Sequence, residues 1–366
     1  MKECLLILCL FPLFLVHASA EGLPEQIGDL SGAYQAQNSL PEEVRDISGM
    51  LRLDGGYDTD GALRRLWSRF LERIREQLSE SVQAAAEIFL LALLCAVSAC
   101  LCETQAMRET IDRIGCCAVS VFVSGNLAEM LTQASDTITR LASYSHAILP
   151  ALFTSAAAGG SVLSASARYT AACLSMDVLI TVSQNMILPL IYMFFALSIC
   201  QSLFENGILH ALVNISKWCA ATAMTVLTMG FGAYLSITGL ITGSSDALTV
   251  KTARTVIARS LPVVGGLLAD SASVLLAAAA LVKNTVGAAA MISVCALCLG
   301  PVAAFSLRLL LFKATAAAVS FLPDTRLPRL VGAMGSLFGM LLGLIGCCAA
   351  ILFMAVVSGI KVLSPL

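Results

Sequence analysis

Residues 331–357 read VGAMGSLFGMLLGLIGCCAAILFMAVV and contain no charged side chain. A helix needs roughly 20 consecutive apolar residues to cross the hydrocarbon core of a bilayer, and this run exceeds that length. The whole chain has a similar character, because 58% of its 366 residues are apolar and only 13% are charged, against about 25% charged in soluble domains. The sequence therefore predicts an all-α membrane protein and excludes a soluble globular one. The net charge of -2 gives no support to a nucleic-acid partner.

Apolar runs of this kind predict a polytopic helix bundle over residues 84–366. The third and sixth runs are rich in Ala, Ser and Gly and begin close to a proline, so either can also be read as a re-entrant hairpin. We predict eight spans, at residues 84–102, 114–134, 141–163, 178–200, 219–241, 261–282, 286–311 and 331–357.

The amino terminus has the pattern of a secretory signal peptide. An apolar run, CLLILCLFPLFLV at residues 4–16, is short for a span and precedes Ala18, Ser19 and Ala20, which form an A-x-A cleavage pattern. We predict a signal peptide at 1–20, with an uncleaved anchor as the alternative. Both interpretations export residues 21–83, since both use the same apolar run.

The exported leader, residues 21–83, holds half of the 24 acidic residues and none of the 14 cysteines, which excludes a disulfide framework there. Within it, residues 62–82 show apolar spacings of three and four, which indicates an amphipathic helix. Its apolar face can lie on the membrane surface or dock a partner protein. The face includes Leu66, Trp67, Phe70 and Ile74.

Basic residues predict the orientation of the spans. With residues 21–83 outside, ten basic residues fall in the cytoplasmic loops and four in the outer loops that follow the first span, in agreement with the positive-inside rule. The ten are Arg108, Arg113, Arg168, Lys251, Arg254, Arg259, Arg308, Lys313, Arg326 and Arg329, and the four are Arg140, Lys217, Lys283 and Lys361.

Residues 141–241 and 253–357 align as repeat units. A shift of 112 residues brings Leu149-Pro150 onto Leu261-Pro262 and Pro189 onto Pro301. With three spans in each, the units would be inverted in the membrane, which is a common construction of secondary transporters. The alternative is an unrepeated bundle with prolines where helices start or kink.

Ionisable and amide side chains inside spans are costly and often face a partner, a cavity or a transport route. Lys283 and Asn284 fall in a tight turn predicted between the sixth and seventh spans. For each residue, the alternative is an interhelical hydrogen bond or a place near the membrane surface. The candidates to line or gate a route are Asp270, Lys283, Asn284, Asp177, Gln184, Asn185 and Glu129.

Prolines and glycines predict where helices break and where they approach each other. Helix breaks are expected at Pro150, Pro189, Pro262 and Pro301. Small residues four apart allow close helix packing. Such pairs occur at Gly335, Gly339 and Gly343 in the last span and at Gly239 and Gly243.

Motifs for catalysis are not found in the sequence. It has no H-E-x-x-H, nucleotide-binding loop or G-x-S-x-G pattern. The C-x-x-C at Cys295 and Cys298 lies in an apolar run, where small-residue packing is the favoured interpretation over a redox or metal site. We therefore expect neither enzymatic activity nor a metal or cofactor.

The run from Gly239 to Ile292 contains a distinctive set of residues: Ser245-Asp246, Lys251, Arg254, Pro262-Val263-Val264-Gly265-Gly266, Asp270, Lys283-Asn284 and Val286-Gly287. With these residues, the run resembles the membrane domain of the stage III sporulation protein AE family. The resemblance extends over roughly 84–360, and the leader matches it only in general character.

This resemblance implies a multi-pass component of the mother-cell membrane around the forespore, in a channel that links the two cells and is needed for late forespore gene expression. It implies partners among the other membrane proteins of the same operon and a forespore membrane protein across the gap. The leading hypothesis is a permease-like or channel-forming subunit. The alternatives are a non-conducting scaffold and an independent ion-coupled transporter.

Overall fold

The structure, a computed structural model, describes residues 59–158, 162–204, 207–260, 265–321 and 326–361. The signal peptide, most of the leader and Pro262 lie outside this part. The described residues form an all-helical protein. Its helices are α1 Thr59–Cys100, α2 Gln105–Ala158, α3 Val162–Val182, a π-helical turn Ser183–Ile187, α4 Leu188–Leu203, α5 Gly207–Ser260, α6 Gly265–Val319 and α7 Arg326–Lys361.

Helix α7 lies at the centre of the bundle. It packs against α2, α3, α4, α5 and α6, while α1 packs against α2 and α6. Its buried side chains include Val331, Leu341, Leu344, Ile345 and Leu352. A helix that is apolar all round is expected in a buried position. The uncharged run 331–357 therefore forms the helix around which the others assemble.

Two pairs of predicted spans are continuous helices. Residues 114–134 and most of 141–163 both belong to α2, and most of 261–282 and all of 286–311 belong to α6. The predicted turn at Lys283 and Asn284 is therefore wrong, because both residues lie inside α6. The count of eight spans rested on these turns and is not confirmed.

The physical reason is that polarity alone does not end a helix. The segment 135–140, SDTITR, contains neither Gly nor Pro, and Ser and Thr in helices can satisfy their hydroxyls on the carbonyl four residues earlier. Thr137 and Thr139 donate to the carbonyls of Gln133 and Ser135 over 2.7 and 3.0 Å. Helix α2 therefore continues through the predicted loop.

Within the described residues, five helical segments are long and apolar enough to cross a membrane. They are Trp67–Cys100, Gln105–Thr154, Ala165–Leu203, Ala290–Val319 and Arg326–Gly359. A helix of 54 residues such as α2 is about 81 Å long, whereas the hydrocarbon core is about 30 Å thick. Only part of α2 can lie in that core.

The ends of the bundle are identified by contacts with α7. A Cβ on Gly115 of α2 would lie 3.6 Å from Leu327 at the beginning of α7, and Arg168 of α3 bonds Ser358 near its end. Arg168 therefore lies at the opposite end of the bundle from Arg108 and Arg113. The prediction that placed all three on one side needs correction, because α2 connects the two ends without a turn.

The structure gives less support to two inverted repeat units than the sequence alignment did. Unit 253–357 contains two helices, α6 and α7, together with the end of α5. Inversion was argued from three spans in each unit, so that argument loses its basis. The duplication itself stays a prediction.

Two of the predicted helix breaks are absent. Pro150 lies inside α2 and Pro301 inside α6. Prolines are tolerated in membrane helices because neighbouring helices and Ser or Thr side chains can satisfy the freed backbone groups. Pro189 lies in the first turn of α4, directly after the π-helical turn.

Gly359 permits the closest approach between α2 and α7. A Cβ on this residue would lie 1.8 Å from the Leu152 Cδ2 atom and 3.1 Å from its Cγ. Leu152 is fully buried, so it has little room to move. We expect Gly359→Ala to destabilise the protein by about 1–3 kcal/mol, the usual cost of overpacking, which lowers the midpoint of thermal unfolding in detergent.

Gly346→Ala on the same helix is the matched control, since a Cβ at that position would meet no heavy atom of a neighbouring helix within 4 Å. This variant should unfold at the wild-type temperature or higher, because alanine favours helix over glycine. Equal midpoints for the two alanine variants would contradict the contact between Gly359 and Leu152.

Candidate functional site

Helix α2 carries a line of polar side chains on its exposed surface. The residues follow one another at spacings of three and four, which places them on one helix face. All are exposed, and the line is about 26 Å long at 1.5 Å per residue. Its members are Glu129, Thr132, Asp136, Thr139, Ser143 and His146.

Helix α3 and the π-helical turn continue this polar surface beside α2. Their members are Ser166, Thr170, Asp177, Thr181 and Gln184. Two contacts join the helices: His146 Nε2 lies 3.4 Å from Asp177 Oδ1, and the Gln184 amide donates to Thr139 Oγ1 over 3.1 Å. We call the α2 and α3 residues together the polar stripe.

The two contacts fix the register between the antiparallel helices. Thr139 and His146 are seven residues apart on α2, and Asp177 and Gln184 are seven apart on the facing segment. Seven residues make about two helical turns, so both partners advance by equal distances. The stripe is therefore continuous across the seam between α2 and α3.

The π-helical turn at Ser183–Ile187 lies just before Pro189, where the sequence predicted a helix break. The Leu188 N–H bonds the Ser183 carbonyl, five residues earlier. Pro189 follows, and its missing N–H leaves the helix free to widen there. Turns of this kind are frequent at functional sites. Gln184 uses its amide on Thr139 rather than on a backbone carbonyl.

The other predicted route residues are divided between the stripe and α6. Glu129 and Asp177 belong to the stripe, and Asn185 lies exposed beside Gln184. Asp270, Lys283 and Asn284 lie on α6, and their side chains are outside the described part. The structure therefore brings Asp177 and Gln184 onto the same surface as α2.

Two of the predicted packing glycines, Gly335 and Gly343, lie next to side chains of neighbouring helices. A Cβ on Gly335 would meet the Lys313 side chain of α6 at 3.1 Å, and one on Gly343 would meet Met224 of α5 at 3.6 Å. Gly339 is half-buried on α7. Gly239 and Gly243 lie on α5, and their surroundings are outside the described part.

The amphipathic helix predicted at 62–82 is the first half of α1, which continues without a break into the first span. Trp67 is 63% exposed, and its ring centroid lies 5.8 Å from that of Phe70. Phe70 and Ile74 are half-buried, and the Leu66 side chain is outside the described part. The predicted boundary at residue 83 falls inside this helix.

Two cationic side chains are held by backbone and hydroxyl oxygens of α7. Arg168 donates to the carbonyl and the Oγ of Ser358, both at 3.0 Å. Lys313 donates to the Gly332 carbonyl and to Ser336 Oγ, both at 3.1 Å. These contacts follow the snorkelling behaviour of long cationic side chains and anchor α3 and α6 to α7.

The side chains of the polar stripe can bind water and carry charge, and their arrangement does not suggest covalent chemistry. Thr132, Ser143, Thr170 and Thr181 donate their hydroxyls to backbone carbonyls within their own helices, which leaves the oxygens as acceptors. Carboxylates at Glu129, Asp136 and Asp177 alternate with these hydroxyls. Among the described residues, no cluster of His, Cys, Asp or Glu could hold a metal ion.

Sequence reasoning missed Asp136, Thr139 and His146 because it assigned 135–140 to a loop. The signal was present, since polar residues at 129, 132, 136, 139, 143 and 146 repeat with the helical period. Reading the apolar runs alone divided this pattern between two spans and the loop between them.

Comparison with known proteins gives a family. The model of the family described as "Stage III sporulation protein AE" matches residues 53–362. A relative from Bacillus subtilis (strain 168), the stage III sporulation protein AE, is 27% identical over 157 residues. That alignment covers 43% of this chain and 39% of the relative, so well under half of the relative's length is matched. No solved structure matches the chain.

The family match covers most of the chain, including all seven helices of the described part. The resemblance, which rested on residues 239–292, is therefore confirmed over a much longer stretch. The chain belongs to the stage III sporulation protein AE family.

Proposed function

We propose that the chain is a permease-like or channel-forming membrane subunit of the transport complex between mother cell and forespore. Membership of the family implies a role in sporulation, and the five apolar helical segments support a place in a membrane. The polar stripe is the observation that carries the proposal of a route.

The argument rests on what a lipid bilayer does to charge. A single Asp, Lys or Arg at the centre of a membrane helix costs about 2.5–3.5 kcal/mol on insertion scales. The stripe exposes Glu129, Asp136 and Asp177 on helical segments that are candidates to span the membrane. Water, a second copy or a polar partner must therefore cover the stripe wherever it lies in the core, and a hydrated route satisfies all these groups together.

The mixed character of the stripe favours passage over tight binding. Hydroxyl oxygens and carboxylates follow each other over about 26 Å, close to the thickness of the hydrocarbon core. A row of weak sites allows a polar solute to enter and to leave, whereas one deep site would retain it. Asp270, Lys283 and Asn284 on α6 stay candidates for the same route.

Membership of the family also suggests the surroundings that we propose for this subunit. We place it in the mother-cell membrane that surrounds the forespore, as a multi-pass protein with residues 21–83 outside the cytoplasm. Its partners are the other membrane proteins of the stage III operon and a forespore membrane protein across the intermembrane space. Its activity would be required for late forespore gene expression.

A second candidate function is that of a scaffold, and the surface of α1 favours it. Trp67, Leu71, Leu78 and Val82 are 63%, 50%, 43% and 44% exposed, at successive spacings of four, seven and four that fit one side of the helix. An exposed apolar surface of this kind can dock a partner. A scaffold would need this surface and not the stripe.

Thiol labelling tests whether the stripe faces water. Cysteines introduced at Asp136, Thr139 and Ser143 should react with a membrane-impermeant maleimide in intact membranes, and peptide mass spectrometry separates them from the native thiols. Val121 and Leu174 are the matched controls, because they are 74% and 58% exposed but apolar. Cysteines there should stay unlabelled in lipid. Equal labelling of the stripe cysteines and the control cysteines, or labelling of neither set, would contradict the proposed route.

Spore yield tests whether the stripe is used. The double variant Asp136→Leu, Thr139→Leu should lose most heat-resistant spores while the protein still accumulates and recruits its partners, since it removes polar groups from a surface that needs them. Val121→Leu is the control and should sporulate normally. We expect the same loss from Asp270→Asn and Lys283→Met if α6 contributes to the route. Normal yield from the stripe variant would favour the scaffold.

Charge on α1 tests the scaffold directly. Phe70→Asp with Ile74→Asp places two carboxylates among half-buried apolar side chains, so partner recruitment should fail in a pull-down from sporulating cells if α1 docks a partner. Glu72→Ala, on the exposed side of the same turn, should recruit normally. If the double Asp variant still recruits partners, α1 is not a docking surface and the scaffold hypothesis loses its support.

A further inference from the structure

A cavity of about 270 Å³ lies among α1, α2, α6 and α7, away from the polar stripe. Most of its wall is apolar and belongs to the core of the bundle. An apolar cavity of about 150 Å³ in another protein stays dry and binds benzene, which has six carbons. At the same packing, this cavity has room for about ten carbons. Its buried apolar lining includes Val123, Leu127, Phe312, Met334, Leu337 and Phe338.

The cavity reaches the surface of the bundle at α1. Gln83 and Glu87 border it, and both side chains are exposed. The Gln83 amide donates to Glu87 Oε1 over 3.0 Å. Arg308 also borders the cavity and has interactions within the protein, so a ligand need not neutralise it. A polar edge and an apolar interior suit a molecule that has one polar end and an apolar body.

The face of α1 that carries Glu87 continues as an apolar surface. Leu90, Leu94 and Val97 follow Glu87 at spacings of three, four and three, which places them on the same helix face. They are 57%, 64% and 53% exposed, and residues 88–102 contain no charged side chain. On a candidate membrane span, lipid tails solvate such a surface as well as leucine does. Acyl chains therefore lie directly beside the edge of the cavity.

Ser81 provides a hydrogen-bonding group at this cavity. It is 4% exposed and borders the cavity, and its Oγ has no hydrogen-bond partner in the part of the chain that the structure describes. Other buried hydroxyls bond a carbonyl of their own helix, as Ser120 does to Cys116 over 2.6 Å. An unsatisfied buried hydroxyl costs free energy, so an acceptor supplied by a ligand would stabilise it.

We propose that this cavity holds one acyl chain of a glycerophospholipid from the surrounding bilayer. The chain lies against the rings of Phe122, Phe312 and Phe338, and the carbonyl of its ester accepts a hydrogen bond from Ser81. The headgroup stays outside, near the exposed Gln83 and Glu87. The inference does not rest on the proposed route, since none of the lining residues belongs to the polar stripe.

An acyl chain fits this cavity better than water does. Water needs two to four polar partners to enter a cavity, and most of this lining is apolar. An empty cavity forfeits the dispersion contacts of the side chains around it. A linear chain restores those contacts, and it enters from the bilayer without leaving an apolar environment.

Photocrosslinking of the purified full-length protein in phosphatidylcholine nanodiscs tests the proposal. The probe is a phosphatidylcholine with a diazirine in the part of one acyl chain that the cavity can hold, and peptide mass spectrometry locates the crosslinks. Leu94, which is 64% exposed, should be labelled by any surrounding lipid. Leu337, which is 1% exposed, can be labelled only by a chain inside the bundle. We expect crosslinks at both residues.

Two phenylalanine variants on α2 show whether the label at Leu337 depends on the cavity. Val123→Phe fills it, because Val123 is 6% exposed and belongs to the lining. This variant should lose most of the label at Leu337 and keep the label at Leu94. Val121→Phe is the matched control, since Val121 is 74% exposed and outside the cavity, and it should keep both labels. Misfolding cannot imitate this loss, because it would expose Leu337 and increase its labelling.

An ether-linked probe tests the hydrogen bond from Ser81. It carries the same diazirine but has no ester carbonyl, so it should label Leu337 about threefold to tenfold less than the ester in the wild-type protein, the usual value of one hydrogen bond. In Ser81→Ala the two probes should label Leu337 equally. Ser79→Ala, at an exposed position on the same helix, should keep the wild-type difference.

The proposal is overturned if wild-type crosslinks fall on exposed residues only, or if Val123→Phe keeps the full label at Leu337. Equal labelling by the ester and ether probes in the wild-type protein would overturn the contact with Ser81. None of these outcomes alters the thiol-labelling or spore-yield tests of the route.

Discussion

The bundle depends on how closely its helices can approach α7. Lipid gives little hydrophobic drive for helix association, so contact between small residues and complementary side chains must hold the helices together. Gly359 against Leu152 and Gly335 against the Lys313 stem are such contacts. Because α7 meets α2, α3, α4, α5 and α6, its Gly-rich and uncharged surface sets the position of each of them.

Because the apolar surfaces of the helices face α7, the polar side chains occupy two kinds of position. Some turn inward to carbonyls and hydroxyls, as Arg168 does to Ser358. Others line up outside on α2 and α3, where His146 and Asp177 meet across the seam. The first kind anchors the helices, and the second forms a surface that lipid cannot solvate. The stripe is therefore the part of this molecule that most requires water or a polar partner.

The cavity among α1, α2, α6 and α7 differs from the stripe in its chemistry. It combines one cation and one anion with aromatic walls, while the stripe offers a long open series of hydroxyls and carboxylates.

Composition and apolar runs were enough to predict an all-helical membrane protein, the uncharged helix at 331–357 and the amphipathic start of α1, and the resemblance of residues 239–292 predicted the family. The sequence also suggested Asp177, Gln184 and Glu129 as candidate route residues and a helix break at Pro189. Composition and apolar runs did not reveal that α2 and α6 are continuous, because a short polar segment without Gly or Pro is compatible with either a loop or a helix. Nor could they pair His146 with Asp177 or gather Ser81, Glu87 and Arg308 around one cavity. These contacts depend on how separate helices are rotated and aligned around α7. Packing between distant segments sets that rotation and register, and local sequence does not encode it.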